Sequence, residues 1–309
     1  ETHRRTYAGQ RDALRRGELG ALLAPSRAYL GQFHDLENTR PPADRIAEWL
    51  GPELCDDVMA GFEAALHRGD LPSAADVANG IAHSTFYYYC DVILAGLLAR
   101  LRAGRGLDDL SPEVLKVGLL TCLSNFSACK DKEDIQNLQK ALEALVIPTQ
   151  KDRRDFAALW IGPSLKAGCS HVSGLYRLAH DAAWREAGGA LAGGWLETFP
   201  NVPETVESQL IDCLTHAGAM VPLAAIAARR ASGVYRSFDH LLSWLAVDVL
   251  VRFDQVRSSL DGIGTRNPDF LWFLRDRFQF RLGHAGLPVT VAQATWIVSE
   301  FRRAWPYAE

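Results

Sequence analysis

Several features that enzymes and membrane proteins depend on are missing from these 309 residues. No Gly-Lys dipeptide occurs. A nucleotide-binding loop places glycine N–H groups around phosphate ahead of a Lys-Ser or Lys-Thr pair, so ATP hydrolysis by this segment is not expected. No Cys-x-x-Cys pair is present to anchor a structural zinc site. No apolar run approaches the roughly 20 residues that span a bilayer. The start, Thr2 to Gly17, is Arg-rich and amphipathic rather than basic and then apolar, so it is not a secretion signal. Lysine is scarce beside arginine, and the net charge is -4, which does not favour general nucleic-acid binding. Strand patterns are almost absent. The first residue is Glu1 rather than Met, and the stretch is expected to be a piece of a longer protein. Six cysteines (Cys55, Cys90, Cys122, Cys129, Cys169 and Cys213) lie scattered in mostly apolar helical contexts. They read as buried small hydrophobes of a reducing compartment, hence a cytoplasmic expectation.

What is present is helical periodicity from end to end. Tyr235 to Phe280 reads as three consecutive helices. Tyr235, Phe238, Leu241, Leu242, Leu245 and Val249 recur at helical spacing, and Trp244, Val247, Leu250 and Val251 make the same helix apolar nearly all round. Such a helix is buried on more than one side. Phe253, Val256 and Leu260 continue, and Asn267-Pro268-Asp269 opens the next helix with a capping residue, a proline lacking N–H and an acid at the positive helix end. Upstream, Gly51-Pro52-Glu53 and Ser111-Pro112-Glu113 start helices in the same manner. Asp131 is expected to cap the helix that runs to Val146. In the last helix, Val291 to Trp305, the set Ala294, Ile297, Val298 and Phe301 points one way. About fourteen to seventeen helical segments, paired at roughly 35- to 50-residue intervals, fit a repeat array. Leu287 to Val298 is the one run that also fits a strand. The Gly-rich run Gly188 to Gly194 is the best candidate for an interruption.

Candidate chemistry is sparse. Asp56-Asp57 and Asp108-Asp109 are acidic pairs able in principle to bind a cation, yet acids in a first helical turn serve the helix dipole. Asp248 in an apolar helix requires a partner, and Arg252 one turn on supplies one. Cys169 with His171 and Cys213 with His216 would bind zinc only if both pairs met. A cysteine nucleophile served by His34, His180 or His240 has no local signature. Phe86 to Tyr89 is an aromatic cluster, read as helix-packing material or, alternatively, as a stacking platform. Lys130, Lys132, Lys140, Lys151, Arg153 and Arg154 form the most basic stretch, read as a solvated face or as a phosphate contact.

Two stretches near the C-terminus carry a family pattern. Asn267-Pro268-Asp269-Phe270-Leu271-Trp272-Phe273-Leu274-Arg275-Asp276-Arg277 and Phe301-Arg302-Arg303-Ala304-Trp305-Pro306-Tyr307 resemble recurring motifs of large bacterial NACHT-like, STAND-type NTPases. Leu36-Glu37-Asn38-Thr39-Arg40-Pro41-Pro42 with Leu50-Gly51-Pro52-Glu53-Leu54 is similar to the corresponding earlier segment. The resemblance implies the helical-repeat sensor region of such a protein, with the NTPase and effector outside this stretch. Several members of the family act in anti-phage defence.

The expected architecture is therefore all-α: a right-handed α-solenoid of irregular HEAT-like helix pairs, residues 1-187 and 188-309 forming one continuous array with a bend near 188-203. The expected function is non-catalytic recognition of a protein ligand, a phage protein being one class, with regulation of an attached NTPase or effector. Homo-oligomerisation would run through the full-length chain. No catalytic, cofactor-binding or metal-ligating residue is assigned, and neither a membrane nor nucleic acid is an expected partner. The competing expectations are an all-α enzyme with a buried pocket for a small apolar or phosphorylated substrate, and, more weakly, nucleic-acid binding through Lys130 to Arg154.

Overall fold

The computed structural model describes all residues except 1, 34, 37, 38, 86, 125–128, 234–236, 279–286 and 307–309. Glu37, Asn38 and Tyr307 of the family-like stretches lie outside the described residues, as do His34, Phe86, Tyr235 and Phe280. Among the described residues every regular element is an α-helix, nineteen in all, packed largely as neighbouring pairs and compatible with an α-solenoid. None of these helices is long and apolar enough to cross a membrane. The run Leu287 to Val298 resolves into four residues without regular structure and the first half of a helix.

The chain divides into two compact units, 1–167 and 168–309. The first contains α1 (Thr2–Ala8), α2 (Arg11–Arg15), α3 (Leu19–Tyr29), α4 (Pro42–Leu50), α5 (Pro52–Leu66), α6 (Ala74–Ala82), α7 (Tyr89–Arg102), α8 (Pro112–Leu123), α9 (Lys132–Val146) and α10 (Gln150–Lys166). Its starts follow the sequence logic: Pro42, Pro52 and Pro112 sit in first turns, and Ser111 accepts a hydrogen bond from the Val114 N–H. Helix α7 is the hub, buried without a break from Cys90 to Arg100 and packed against α3, α5, α8 and α9. Each fully buried Leu or Ile there contributes on the order of 1.5–3 kcal/mol. Arg100 is carried into this core because its guanidinium is fully engaged, by the Gly106 carbonyl at 2.6 Å and by Glu63 and Asp109.

Asp131 does not cap α9. Its carboxylate accepts two hydrogen bonds of 3.0 Å from the buried Arg45, which also donates to the Tyr29 carbonyl at 2.9 Å. A bidentate charged pair outweighs a cap, so the carboxylate turns to α4 and fastens the start of α9 to α3 and α4.

The second unit contains α11 (Leu175–His180), α12 (Arg185–Thr198), α13 (Glu204–His216), α14 (Met220–Ser232), α15 (Phe238–Val251), α16 (Phe253–Leu260), α17 (Ile263–Arg266), α18 (Asp269–Phe278) and α19 (Val291–Ala304). Helix α15 is its centre, packed on α14, α16 and α18, as its all-round apolar sequence requires. Phe238, however, is exposed at its first turn. Asp248 is buried and receives both donors of Arg252, at 2.6 and 2.7 Å.

The division between the two compact units falls between Ala167 and Gly168. Gly188 to Gly194 is helical, inside α12. A Cβ on Gly188 would lie 2.8 Å from the Leu178 carbonyl oxygen of α11, and one on Gly189 would overlap the Ala217 Cβ at the end of α13. These glycines permit close helix approach and do not turn the chain.

Candidate interaction surface

The two family-like C-terminal stretches meet in space, on α18 and α19. Helix α18 buries Phe270, Leu271 and Leu274 and turns Trp272 and Arg275 outward, one turn apart. Helix α19 opens with a capping box, Thr290 accepting from the Gln293 N–H while the Gln293 side chain accepts from the Thr290 N–H. Its buried face is Gln293, Ile297 and Glu300. Gln293 donates through Nε2 to the Leu250 carbonyl at 2.7 Å. The Glu300 carboxylate accepts from the Gly262 and Gly264 N–H groups at 3.1 and 3.0 Å, and also pairs with Arg303. Two polar side chains thus face inward because each finds backbone partners.

Of the apolar set Ala294, Ile297, Val298 and Phe301, only Ile297 is buried; Ala294 and Val298 point to solvent. Outward lie the apolar Val291, Ala294, Val298 and Trp305, interspersed with Thr295 and Arg302. Trp272 joins it from α18, with ring centroids 5.2 Å from Trp305 and 6.1 Å from Phe301, and Phe301 lies 5.6 Å from Trp305. Both tryptophans keep more than two-fifths of their surface in water, at 43% and 42%. The Arg275 guanidinium lies 4.7 Å over the Trp272 ring while donating to Asp276. Exposed aromatic surface gathered in this way makes the Trp272–Phe301–Trp305 cluster the candidate binding surface.

On the other side of α18 lies a cleft of about 310 Å³ lined by Glu204, Thr205, Glu207 and Ser208 of α13, Ser243 of α15, and Phe273, Asp276 and Arg277 of α18. Arg277 donates to the Ser208 and Ser243 hydroxyls, 2.9 Å each. Burial pushes its guanidinium below the usual range, while Asp212, Glu207, Asp276 and Glu204 pull the opposite way. At the cleft wall the buried His240 Nε2 lies 2.8 Å from Glu207 and 3.1 Å from the Trp244 indole nitrogen. The cleft's Ser208 and Ser243 hydroxyls both accept from Arg277. It ties α13, α15 and α18 together around one arginine. A shallower groove of about 390 Å³ beside α12 and α14 is lined by Leu196, Pro200, Ile226 and three charged side chains that bond within it: Arg229 to Glu197, and Arg230 to the Leu196 and Pro200 carbonyls.

The other residues singled out in the sequence are placed apart from these clefts. Asp57 is buried; burial opposes its ionisation, but hydrogen bonds from Arg11 at 2.6 Å and Arg15 at 2.5 Å prevail and hold its carboxyl below the usual range. Asp56 is exposed. Asp109 pairs with Arg100, which likewise keeps it ionised. Asp57, Asp109 and Asp248 are each matched to an arginine, whereas the buried Glu207 pairs with His240 at the cleft. Tyr87 packs over Gly80, and Tyr88 and Tyr89 are exposed, Tyr88 under the Arg27 guanidinium.

All six cysteines are free thiols. Burial pushes Cys90 up to about 11 and Cys122 and Cys213 up to about 12, the reverse of what a nucleophile needs. Among the described residues no group of three or more His, Cys, Asp or Glu side chains is placed to hold a metal, so the two Cys/His pairs do not form a zinc site. The basic stretch is broken by acids: Lys151 and Arg154 both pair with Asp155. Sequence reasoning missed Arg45, whose helical spacing next to Ile46 gave no sign that a guanidinium would point inward.

A scan against family models found no match for the chain, and neither did searches of curated proteins and of solved structures.

Proposed function

We propose that this chain is a non-catalytic helical interaction module, from the sensor side of a larger bacterial STAND-type, NACHT-like NTPase. Its helix pairs stack in a right-handed array and recognise a protein ligand in the cytoplasm, phage structural proteins being the class to test first. Binding biases an NTPase and effector carried elsewhere in the longer protein, which requires different affinities for its two states.

The observation that carries this reading is the meeting of Trp272, Phe301 and Trp305 on one exposed face. These residues come from the two stretches that carry the family pattern, and the core does not require their exposed surface. The pairing of Asp57, Asp109 and Asp248 with arginines supports a structural use of the acids. Helical arrays suit recognition because successive pairs extend one surface.

The test is to use the folded chain as bait against individually expressed phage structural proteins. Specific capture of one of them, lost on Trp272→Ala with Trp305→Ala, is the expected result. Turnover of a small substrate that depends on Arg277 or Glu207 would point to an enzyme instead.

A further inference from the structure

We propose that the cleft between α13, α15 and α18 binds a free α-amino acid with an apolar side chain. Its polar centre is Arg277, whose guanidinium donates to the Ser208 and Ser243 hydroxyls at 2.9 Å each. A guanidinium stays charged and carries five N–H groups. Two of them serve the serines, and among the described residues Arg277 has no further hydrogen-bond acceptor and no ion-pair partner. The other three N–H groups are uncommitted. Each serine accepts from the arginine with an oxygen lone pair and keeps its O–H to donate. Uncommitted N–H and O–H donors gathered at one point, with no acceptor supplied for them, are what a carboxylate requires.

The cleft's own acids select the rest of the ligand. Glu207 is paired with His240, and Asp276 with Arg275. Glu204, exposed in the first turn of α13, makes no ion pair among the described residues. Its charge is nevertheless felt by Arg277. Coupling through water fades beyond about 10 Å, so one small molecule can touch both groups. Carboxylates around a single guanidinium repel a phosphate dianion. A carboxylate carries less charge, and an ammonium on the same molecule gives Glu204 a partner. A free amino acid has both groups, whereas a peptide's C-terminus lacks the ammonium and its N-terminus lacks the carboxylate. Phe273 offers the side chain an apolar wall, and a cleft of about 310 Å³ suits a molecule of this size. The site goes beyond protein recognition and does not depend on it: failure of the bait experiment would leave it standing, and its loss would leave the module reading standing.

The experiment is titration calorimetry of the intact chain with L-phenylalanine, N-acetyl-L-phenylalanine, L-phenylalaninamide and inorganic phosphate. L-phenylalanine is expected to bind with a dissociation constant of about 1 mM or tighter. Each blocked form loses one charge-assisted contact and should bind at least tenfold more weakly. Glu204→Gln, at an exposed position, should erase the preference for L-phenylalanine over its N-acetyl form. Ser208→Ala with Ser243→Ala should weaken both severalfold. Glu197→Gln, in the groove beside α14, should change nothing. Unchanged circular dichroism and urea midpoints show that each variant folds, and Glu204→Gln decides the matter should the serine variant unfold. No binding of L-phenylalanine at about 10 mM, equal binding of a blocked form, tighter binding of phosphate, or a preference that survives Glu204→Gln overturns the proposal.

Discussion

Replacing Arg45 by Met is expected to be the most damaging single change in the first unit. Arg45 has no exposed surface, makes two 3.0 Å hydrogen bonds to Asp131 and donates to the Tyr29 carbonyl. Methionine fills much of the same volume, so the cavity cost is small. What is lost is the partner of a carboxylate and of a buried carbonyl. Breaking a buried pair by removing one member costs about 3–5 kcal/mol. Asp131 keeps 23% of its side-chain surface in water, which relieves part of that penalty and places the expectation near the lower end, at about 3 kcal/mol. With a urea m-value of about 2–3 kcal/mol/M, the midpoint should fall by about 1–1.5 M. The assay is urea unfolding followed by circular dichroism. The double substitution Arg45→Met with Asp131→Leu should recover most of the loss, because it leaves no orphaned charge. A loss below about 1 kcal/mol for Arg45→Met, or no recovery in the double variant, would show that the clamp does not hold α9 to α3 and α4.

The glycines of α12 make a paired test. Gly194→Ala has open space around it and should stabilise by up to about 1 kcal/mol through helix propensity, whereas Gly189→Ala meets Ala217 and should destabilise by roughly 1–2 kcal/mol on thermal unfolding. Asp57 is held below its usual range by Arg11 and Arg15, so its contribution is complete above the unfolded value, about 3.9, and is lost as pH falls through the lower native value. Asp57→Asn should therefore flatten the acid limb of the stability–pH curve below about pH 4 and lower stability at neutral pH. Burial pushes Cys122 and Cys213 up to about 12, which keeps both as thiols at neutral pH. Their labelling by a disulfide reagent should track unfolding, and fast labelling in the native state would count against their burial.

The helices were legible because their signals are local. Apolar spacing and the Pro52, Pro112 and Pro268 starts each depend on a few adjacent residues. The Asp248–Arg252 pair was legible for the same reason, the two lying one turn apart. Long-range polar partners were not. Asp131 was read as a cap because the acid precedes a helix, but Arg45, distant in sequence, claims it. Gly188 to Gly194 was read as an interruption because glycine favours turns. Its real use depends on where Leu178 and Ala217 lie, which no local pattern reveals. Likewise Gln293 and Glu300 face inward on α19 because Leu250, Gly262 and Gly264 supply partners, which no local pattern reveals. With the polar Gln293 and Glu300 turned inward, Val298 and Trp305 are left outward, on the surface on which the functional reading stands. The signal for it was present in the two aromatic stretches, but their meeting is a tertiary fact.

Amide hydrogen exchange of the intact chain, with and without a captured protein ligand, tests the central claim most directly. Recognition through the outer face predicts slowed exchange in Asp269 to Phe278 and Val291 to Ala304, with the Glu204 to His216 segment unchanged. Protection confined to Glu204 to His216 and Phe238 to Val251 would place the ligand in the Arg277 cleft and contradict the account.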